Sequence, residues 1–488
     1  MAATGSLSPR YLRWFLRRTV FCCPIVLLLC AGRVGVAQEA QNAVRTHVRS
    51  VGAETVMKIT APFTVASVGD IIELQPLYRS DPRFSGLIQH IRDADVGFGN
   101  MESNLVEFGH FIGAVDGTEA PLEMGTALKE MGITMLNHAN NHTFDGGVMV
   151  MLSTDRELDK LGIAHAGTGM DLQQARAAAY QETPKGRVGL VGMISVDDSS
   201  PAYGRANMYA LATYRNGDIG GAPGENPLHL TTYHVVSPAD LRTLKAIAAS
   251  TYGAGTGTDV PAKDGAPERF RFFDEWYQAG PDPGRLHYEI DPRDEQPIMA
   301  SIRNGKIYAD FMIVTIHAHQ TSTFDSQGFG GIDHSVPDFL VKLAHDSIDN
   351  GADMFVVHGM HALRGVEIYK GKPIFYDIAT FIFQLGLQFG ASYDILANER
   401  HMSIYENPAS QVTVLTTSHF DHGKLTEVRL YPVDLGGTHR PISQLGIPLI
   451  PDPQEARAIL RDLQQYSQPF GTKISIEDNV GVIRVGGN

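Results

Sequence analysis

The chain is 488 residues long, 43% hydrophobic and 19% charged, with 54 acidic side chains against 40 basic ones and a formal net charge of −14. That length can bury one large core with additions, so a small disulfide-held scaffold is excluded. The acidic balance argues against a nucleic-acid partner, and a polyanion would be repelled as well unless a metal or local cations neutralise the contact.

Residues 1–37 read as a secretory signal peptide. Arg10, Arg13, Arg17 and Arg18 form a basic start, Val20–Ala31 is almost wholly apolar, and Gly35-Val36-Ala37 is a small-residue exit before Gln38. The apolar run is shorter than the ~20 residues of a spanning helix, which favours a cleaved leader over a retained membrane anchor. The expected location is therefore periplasmic or extracellular, with membrane attachment if the leader stays. Cleavage removes five arginines and no acid, taking the formal charge from −14 to −19. Cys22, Cys23 and Cys30, the chain's 3 cysteines, all lie in the leader. The mature chain then has no disulfide and no thiolate ligand, and any metal must be held by His, Asp, Glu or Asn.

Residues 38–62 read as a linker. From Phe63 the pattern alternates between short apolar runs and helical spacing. Strands are expected at Phe63–Val68, Val96–Gly99, Ile133–Leu136, Val188–Ile194, Phe311–Ile316, Met354–Val357, Ile374–Tyr376 and Ala379–Phe383. Helices are expected at Pro82–Asp93, Leu122–Met131, Val148–Leu161 and Pro337–Ile348. This alternation predicts an α/β layered domain over residues 63–390. The stretch Asp197–Arg303 breaks the rhythm. It is rich in Gly and Pro, shows one helical pattern at Pro238–Ser250, and reads as an insertion that covers a binding site. Residues 391–488 read as a β-rich C-terminal extension, with strands at Gln411–Ser418 and Leu425–Val433, one helix at Pro453–Tyr466 and a final hairpin around Asp478-Asn479.

Two histidine clusters carry the chemistry. Asn137-His138-Ala139-Asn140-Asn141-His142 follows one apolar run, while His317 and His319 follow a second and His358 and His361 a third. Polar groups just past the C-terminal ends of buried strands are where α/β sheets hold ligands. Imidazole, carboxamide and carboxylate together suit Zn, Mn or Fe.

The strings Val68-Gly69-Asp70, Gly99-Asn100-Met101-Glu102, Asn137 to Gly146 and Gly365-Val366-Glu367-Ile368-Tyr369-Lys370-Gly371-Lys372-Pro373-Ile374-Phe375-Tyr376 resemble, in order, the CapA family of capsule and poly-γ-glutamate biosynthesis proteins. The resemblance implies a calcineurin-like metallophosphatase fold, a two-sheet sandwich flanked by helices, with two divalent metal ions between the sheets. It implies Asp70 as a carboxylate on the first metal, Glu102 as the bridging acid, Asn141 on the second metal and His142 as proton donor. His317, His358 and His361 would complete the set. Where the family has Gly-His-x-Pro-His, His-Trp-Gly and Gly-Asn-Phe, this chain has Val357-His358-Gly359-Met360-His361, His317-Ala318-His319 and Ala379-Thr380-Phe381. His319 could therefore replace a ligand, and Asn100 and His138 are candidates for ligands or for the layer around them. Arg364 is a candidate for gripping an anionic substrate group. Asp145-Gly146-Gly147 reads as a turn, and Asn140 as turn-forming. The implied function is metal-assisted hydrolysis or transfer at a phosphoester or amide bond of an anionic envelope polymer or its precursor, alongside other capsule-assembly proteins at the membrane. A non-catalytic assembly factor and a metal-dependent epimerase are the rival readings.

Overall fold

The computed structural model describes residues 56–77, 81–109, 118–197, 211–215, 220–251, 257–273, 275–323, 333–384, 407–437, 440–441 and 444–486. The expected leader, with its cut after Ala37, and most of the linker lie outside these residues.

The first half follows its alternating pattern. β1 (Phe63–Ile72), α1 (Pro82–Arg92), β2 (Val96–Met101), α2 (Glu123–Glu130), β3 (Met135–Asn137), α3 (Val148–Leu161) and β4 (Ala164–Ala166) succeed one another. The four strands pair in parallel in the order β1-β2-β3-β4. Local chemistry sets the boundaries. Asp81 caps α1 by accepting from the Arg83 amide, and Pro82 occupies its first turn. Gly162 ends α3 in the left-handed conformation, at φ 69°. β1 runs beyond the expected end at Val68, through Asp70 to Ile72.

β5 (Gly186–Asp197) belongs to a second sheet, which the strand Ala179–Thr183 opens by pairing antiparallel with it. The segment expected as an insertion then contributes strands to that sheet. After the short β6 (Gly224–Glu225), β7 (Pro227–Val236) pairs in parallel with the C-terminal part of β5, from Pro227 beside Ile194 to Leu230 beside Asp197. Strands Glu275–Ala279, Arg269–Phe272 and Gly257–Val260 continue outward from β7, with α4 (Pro238–Thr251) packed against the first two. α5 (Pro292–Ile307) has no counterpart in the sequence reading, because Pro297, Asn304 and Gly305 interrupt its apolar pattern. It buries Ile298 and Ile302 nonetheless.

The sheet is completed by β8 (Phe311–His317), α6 (Asp338–Asp349), β9 (Met354–His358), β10 (Val366–Tyr369) and β11 (Lys372–Phe375). Its central order is β7-β5-β8-β9-β11-β10. β12 (Thr380–Phe383) crosses to the first sheet and pairs with the end of β1. The C-terminal strands join that sheet too: β13 (Val412–Asp421) lies antiparallel to β1, β14 (Lys424–Asp434) to β13, and, after α7 (Pro453–Ser467), β15 (Val480–Arg484) to β14.

The two sheets face each other across one core. Phe63, Val65, Phe98 and Met135 of the first meet Leu190, Phe311, Ile313 and Val356 of the second. On the outer faces, Val68, Met101 and Leu136 pack on Leu87, Ile91, Leu128 and Leu158 of the helices, and Met312, Val314 and Phe355 pack on Ile298, Ile302, Phe339 and Leu343. The arrangement is helix, sheet, sheet, helix, as the resemblance implied.

Candidate metal centre

Strand alternation delivers most of the site. In β8, Phe311 and Ile313 enter the inter-sheet core while Met312, Val314 and Ile316 face the helices. The next inward positions are Thr315 and His317. β9 repeats this with Met354 and Val356 inward and His358 next, and its register sets His358 beside His317. In β2, Val96 and Phe98 point inward and Asn100 follows. Asp70 is the exception. The register of β1 against β2 shifts between Ser67 and Asp70, and this added residue turns Asp70 from the helix side to the inter-sheet side. Gly69 permits the turn: a Cβ there would lie 1.7 Å from the Ala379 carbonyl oxygen, which accepts the Asp70 amide at 3.1 Å.

The expected side chains converge. Asp70, Glu102, His317 and His358 are fully or almost fully buried, and His361 is 9% exposed. Ligand atoms of Asp70, His317 and His358 lie within 4.8 Å of one another, as do those of Glu102, His317 and His319, and those of Asp70, Glu102 and His361. Asn141 Oδ1 sits 2.8 Å from His317 Nε2 and 3.3 Å from His319 Nε2, and the two imidazole nitrogens are 2.9 Å apart. Glu102 Oε1 has His317 Nε2 at 3.8 Å and the Nε2 atoms of His142 and His361 at 4.0 Å.

Neighbours aim these groups. Asn100 Nδ2 donates to Asp70 Oδ1 at 2.8 Å, and Asn100 Oδ1 accepts from Asn137 Nδ2 at 2.8 Å. Asn100 thus stands behind Asp70. Thr315 Oγ1 holds His358 Nε2 at 2.9 Å, and Thr380 Oγ1 holds His361 Nδ1 at 2.8 Å. His142 Nδ1 pairs with Asp145 Oδ2 at 2.7 Å, with the imidazole side chain 24% exposed. The turn expected at Asp145 therefore also supplies the partner of His142.

The electrostatics follow from burial. It pushes His317 well below its ordinary value, His319 down to about 3 and His358 down to about 4, so these imidazoles are neutral. For Asp70, burial opposes ionisation, but the hydrogen bond from His361, with the imidazoles packed around the carboxyl, outweighs it and holds the carboxyl below its usual range. Burial and the Asp70 carboxylate push Glu102 well above its own. Burial opposes the His142 cation, yet Asp145 raises its pKa.

Two candidates fall elsewhere. His138 is fully buried but bonds Asp155 Oδ1 through Nδ1 at 2.7 Å, in a cluster that Thr168 and His165 join. It braces α3 against β3 and is in none of the ligand groups. Arg364, expected to grip substrate, is fully buried; it donates to the carbonyls of Gln320 and Asp333, at 2.8 and 3.1 Å, and so ties two backbone segments together. The sequence reading passed over two buried acids. Asp377 accepts the amides of Met360 and Ala379 at 3.0 and 2.7 Å, beside His361 and Ala379, both in the left-handed region at φ 55° and 58°. Its place directly after a buried strand was the available signal. Glu225 accepts the Asn140 amide at 2.7 Å, and nothing local in the insertion points to it.

The residues fit a metal centre. Both Glu102 oxygens and His358 Nδ1 are buried without a hydrogen-bond partner, an unfavourable state for protein atoms alone and the ordinary state for ligands awaiting a cation.

The chain is 35% identical over 462 residues to the uncharacterized protein y4sH of Sinorhizobium fredii, covering 88% of this chain and 95% of the relative. It is 24% identical to the PGA biosynthesis protein CapA of Bacillus subtilis, over 53% of this chain and 45% of the relative. It is 22% identical to the capsule biosynthesis protein CapA of Bacillus anthracis, over 66% and 60%. The family described as bacterial capsule synthesis protein PGA_cap matches residues 28–385. With a metallophosphatase-like pair of sheets and the candidate ligands between them, the chain belongs to this CapA family of capsule biosynthesis proteins.

Proposed function

We propose that this chain is an exported hydrolase or transferase that makes, trims or anchors an anionic envelope polymer such as poly-γ-glutamate, acting on a phosphoester or amide bond with two divalent metals, Zn, Mn or Fe. The observation that carries the reading is the Glu102 carboxylate, buried without a hydrogen-bond partner and ringed by the imidazoles of His317, His361 and His142, the last paired with Asp145. Asp70, with His358 and His361, would hold one metal, Asn141, His317 and His319 the other, and Glu102 would bridge. The metals would polarise the scissile oxygen and offset the charge of an anionic substrate, which a chain of net charge −14 would otherwise repel.

The protein's own contribution is proton management. Asp145 orients His142 and favours its protonated form, leaving Nε2 facing Glu102 to protonate a leaving group. Asn100 and Thr380 keep Asp70 and His361 from rotating away. β7 enters the sheet at the level of His317 and carries it past that end, so the segment after β5 extends the sheet on the side that holds the site, which suits a cover for a polymer.

Metal analysis of the purified protein, with turnover measured on a phosphodiester, phosphomonoester and γ-glutamyl panel, tests this. His142→Ala is expected to keep the metal and lose ~10²–10⁴-fold in rate, while His358→Ala loses metal as well. Protein without metal, or His142→Ala with full turnover and unchanged polymer production in cells, would transfer the role to a non-catalytic assembly factor. Export is tested by N-terminal sequencing, which should begin at Gln38.

A further inference from the structure

The segment between β5 and β8 reaches the turn beside the candidate metal centre through the buried side chain of Glu225. Glu225, on β6, is fixed by its backbone from two sides. It pairs with Thr168, and its carbonyl accepts the Ala212 amide at 3.0 Å. The next residue locks the register: the Asn226 amide donates to the Gly167 carbonyl at 2.8 Å, its Nδ2 donates to the Gly192 carbonyl at 2.8 Å, and its Oδ1 accepts from buried Arg176 at 3.0 Å. A strand this short could not hold its place without such ties.

From this anchor the Glu225 side chain, wholly buried, presents Oε1 to the Asn140 amide at 2.7 Å, closer than Thr143 Oγ1, which shares that amide at 3.1 Å, while Oε2 has no hydrogen-bond partner. Burying an acid with one oxygen unmatched is unfavourable, and a neutral or apolar side chain would cost less if packing were its only task. What the acid meets is the turn that carries the candidate ligand and acid. Asn140 Nδ2 donates to the Met101 carbonyl at 2.7 Å, and its Oδ1 accepts the His142 amide at 3.1 Å. Asn140 thus ties Glu225 below to the residue beside Glu102 and to His142. Asn141, between Asn140 and His142, is the residue whose Oδ1 meets His317 and His319.

We propose that Glu225 is a positioning residue: by holding the Asn140 amide it aims Asn141 Oδ1 at the second metal position and His142 at the substrate side. This rests on the reading of Asn141 as a ligand and His142 as the acid. It makes the segment after β5 part of the site's support, so that whatever strains β6 acts on one metal position before the other.

The test uses the full chain and its Glu225→Ala and Glu225→Gln variants, stripped of metal and titrated with Mn²⁺ alone, with electron paramagnetic resonance reporting whether two ions sit as a coupled pair. Glu225→Ala should bind the first ion as the parent does and the second about 10- to 100-fold more weakly, so that the coupled-pair signal is lost at concentrations that saturate the parent. Glu225→Gln, which keeps an acceptor for the amide, should restore the pair. A second readout needs no metal: hydrogen exchange in the segment Asn137–Phe144 should quicken about tenfold or more in Glu225→Ala and stay at the parent rate in Glu225→Gln. A parent and Glu225→Ala that bind the pair equally, or an alanine variant with unchanged exchange, would overturn the proposal. If the parent takes up no Mn²⁺ while exchange responds as described, the metal reading falls and Glu225 stands only as the tether of the turn.

Discussion

Glu73 shows how a single buried group makes the molecule pH-dependent. It lies three residues beyond Asp70, fully buried, with Oε1 accepting the Leu77 amide at 2.9 Å and Oε2 unpartnered. Burial raises its pKa from 4.5 to about 8, against the opposing pull of the Leu77 amide. The folded chain keeps this proton while the unfolded chain releases it, so Glu73's own contribution to stability is full below pH 4.5 and is lost as pH climbs through about 8. Glu73→Gln keeps the acceptor and cannot ionise. It should match the parent near pH 5 and exceed it near pH 8 by about 2–4 kcal/mol, read from urea midpoints at the two pH values. A gain of equal size at both would show that ionisation is not the cause. At this scale the sequence was a partial guide. His317, His358 and His361 stood out because each follows a buried strand, whereas Arg364 and His138 had the right chemistry in the right neighbourhood and were turned to other partners by packing.

Among the elements, β1 is the one whose geometry the site depends on most. Its apolar alternation alone would send Asp70 to the helix side, and the bulge before Asp70 reverses that. The bulge brings Gly69 against the carbonyl of Ala379, itself held by Asp377. Gly69→Ala should therefore cost about 3 kcal/mol and shift Asp70, giving both a lower melting temperature and weaker metal uptake. A variant that melts and loads like the parent would show that the two strands can part without consequence. The bulge was not legible beforehand, because Val-Gly-Asp is compatible with a strand that ends as well as with one that continues. The helices were more legible: α1, α3 and α7 show clear apolar stripes, while in α5, though Asp291 caps it, Pro297 and Gly305 break the stripe.

At the scale of the whole molecule, the segment between β5 and β8 is structural as well as functional. β7 pairs along the end of β5, and α5 places Ile298, Met299 and Ile302 in the outer core with Val191, Met312 and Val314. A fully buried apolar side chain of this size contributes about 1.5–3 kcal/mol. Replacing residues 211–303 by a short flexible linker should therefore abolish the cooperative unfolding transition instead of yielding a folded chain with altered substrate preference. Recovery of a shortened protein with a sharp transition would make the segment a dispensable cover. The C-terminal strands carry a similar load, since β13 pairs with β1 from Phe63 to Ser67, just before the bulge that sets Asp70.

The sequence by itself determined the order of most strands and helices outside residues 197–303, their α/β class and a set of candidate residues for a cation. Each of these follows from local periodicity and from side-chain chemistry, both carried by near neighbours in the chain. Only the tertiary structure decided which of those residues meet. Asp70 was turned inward by a bulge, His138 was taken by Asp155, Arg364 by two carbonyls, and Glu225 was brought under Asn140 from 85 positions away. A hydrogen bond depends on distance and angle, and between residues so far apart in the chain those are set by how the sheets stack and pair, which no local pattern records.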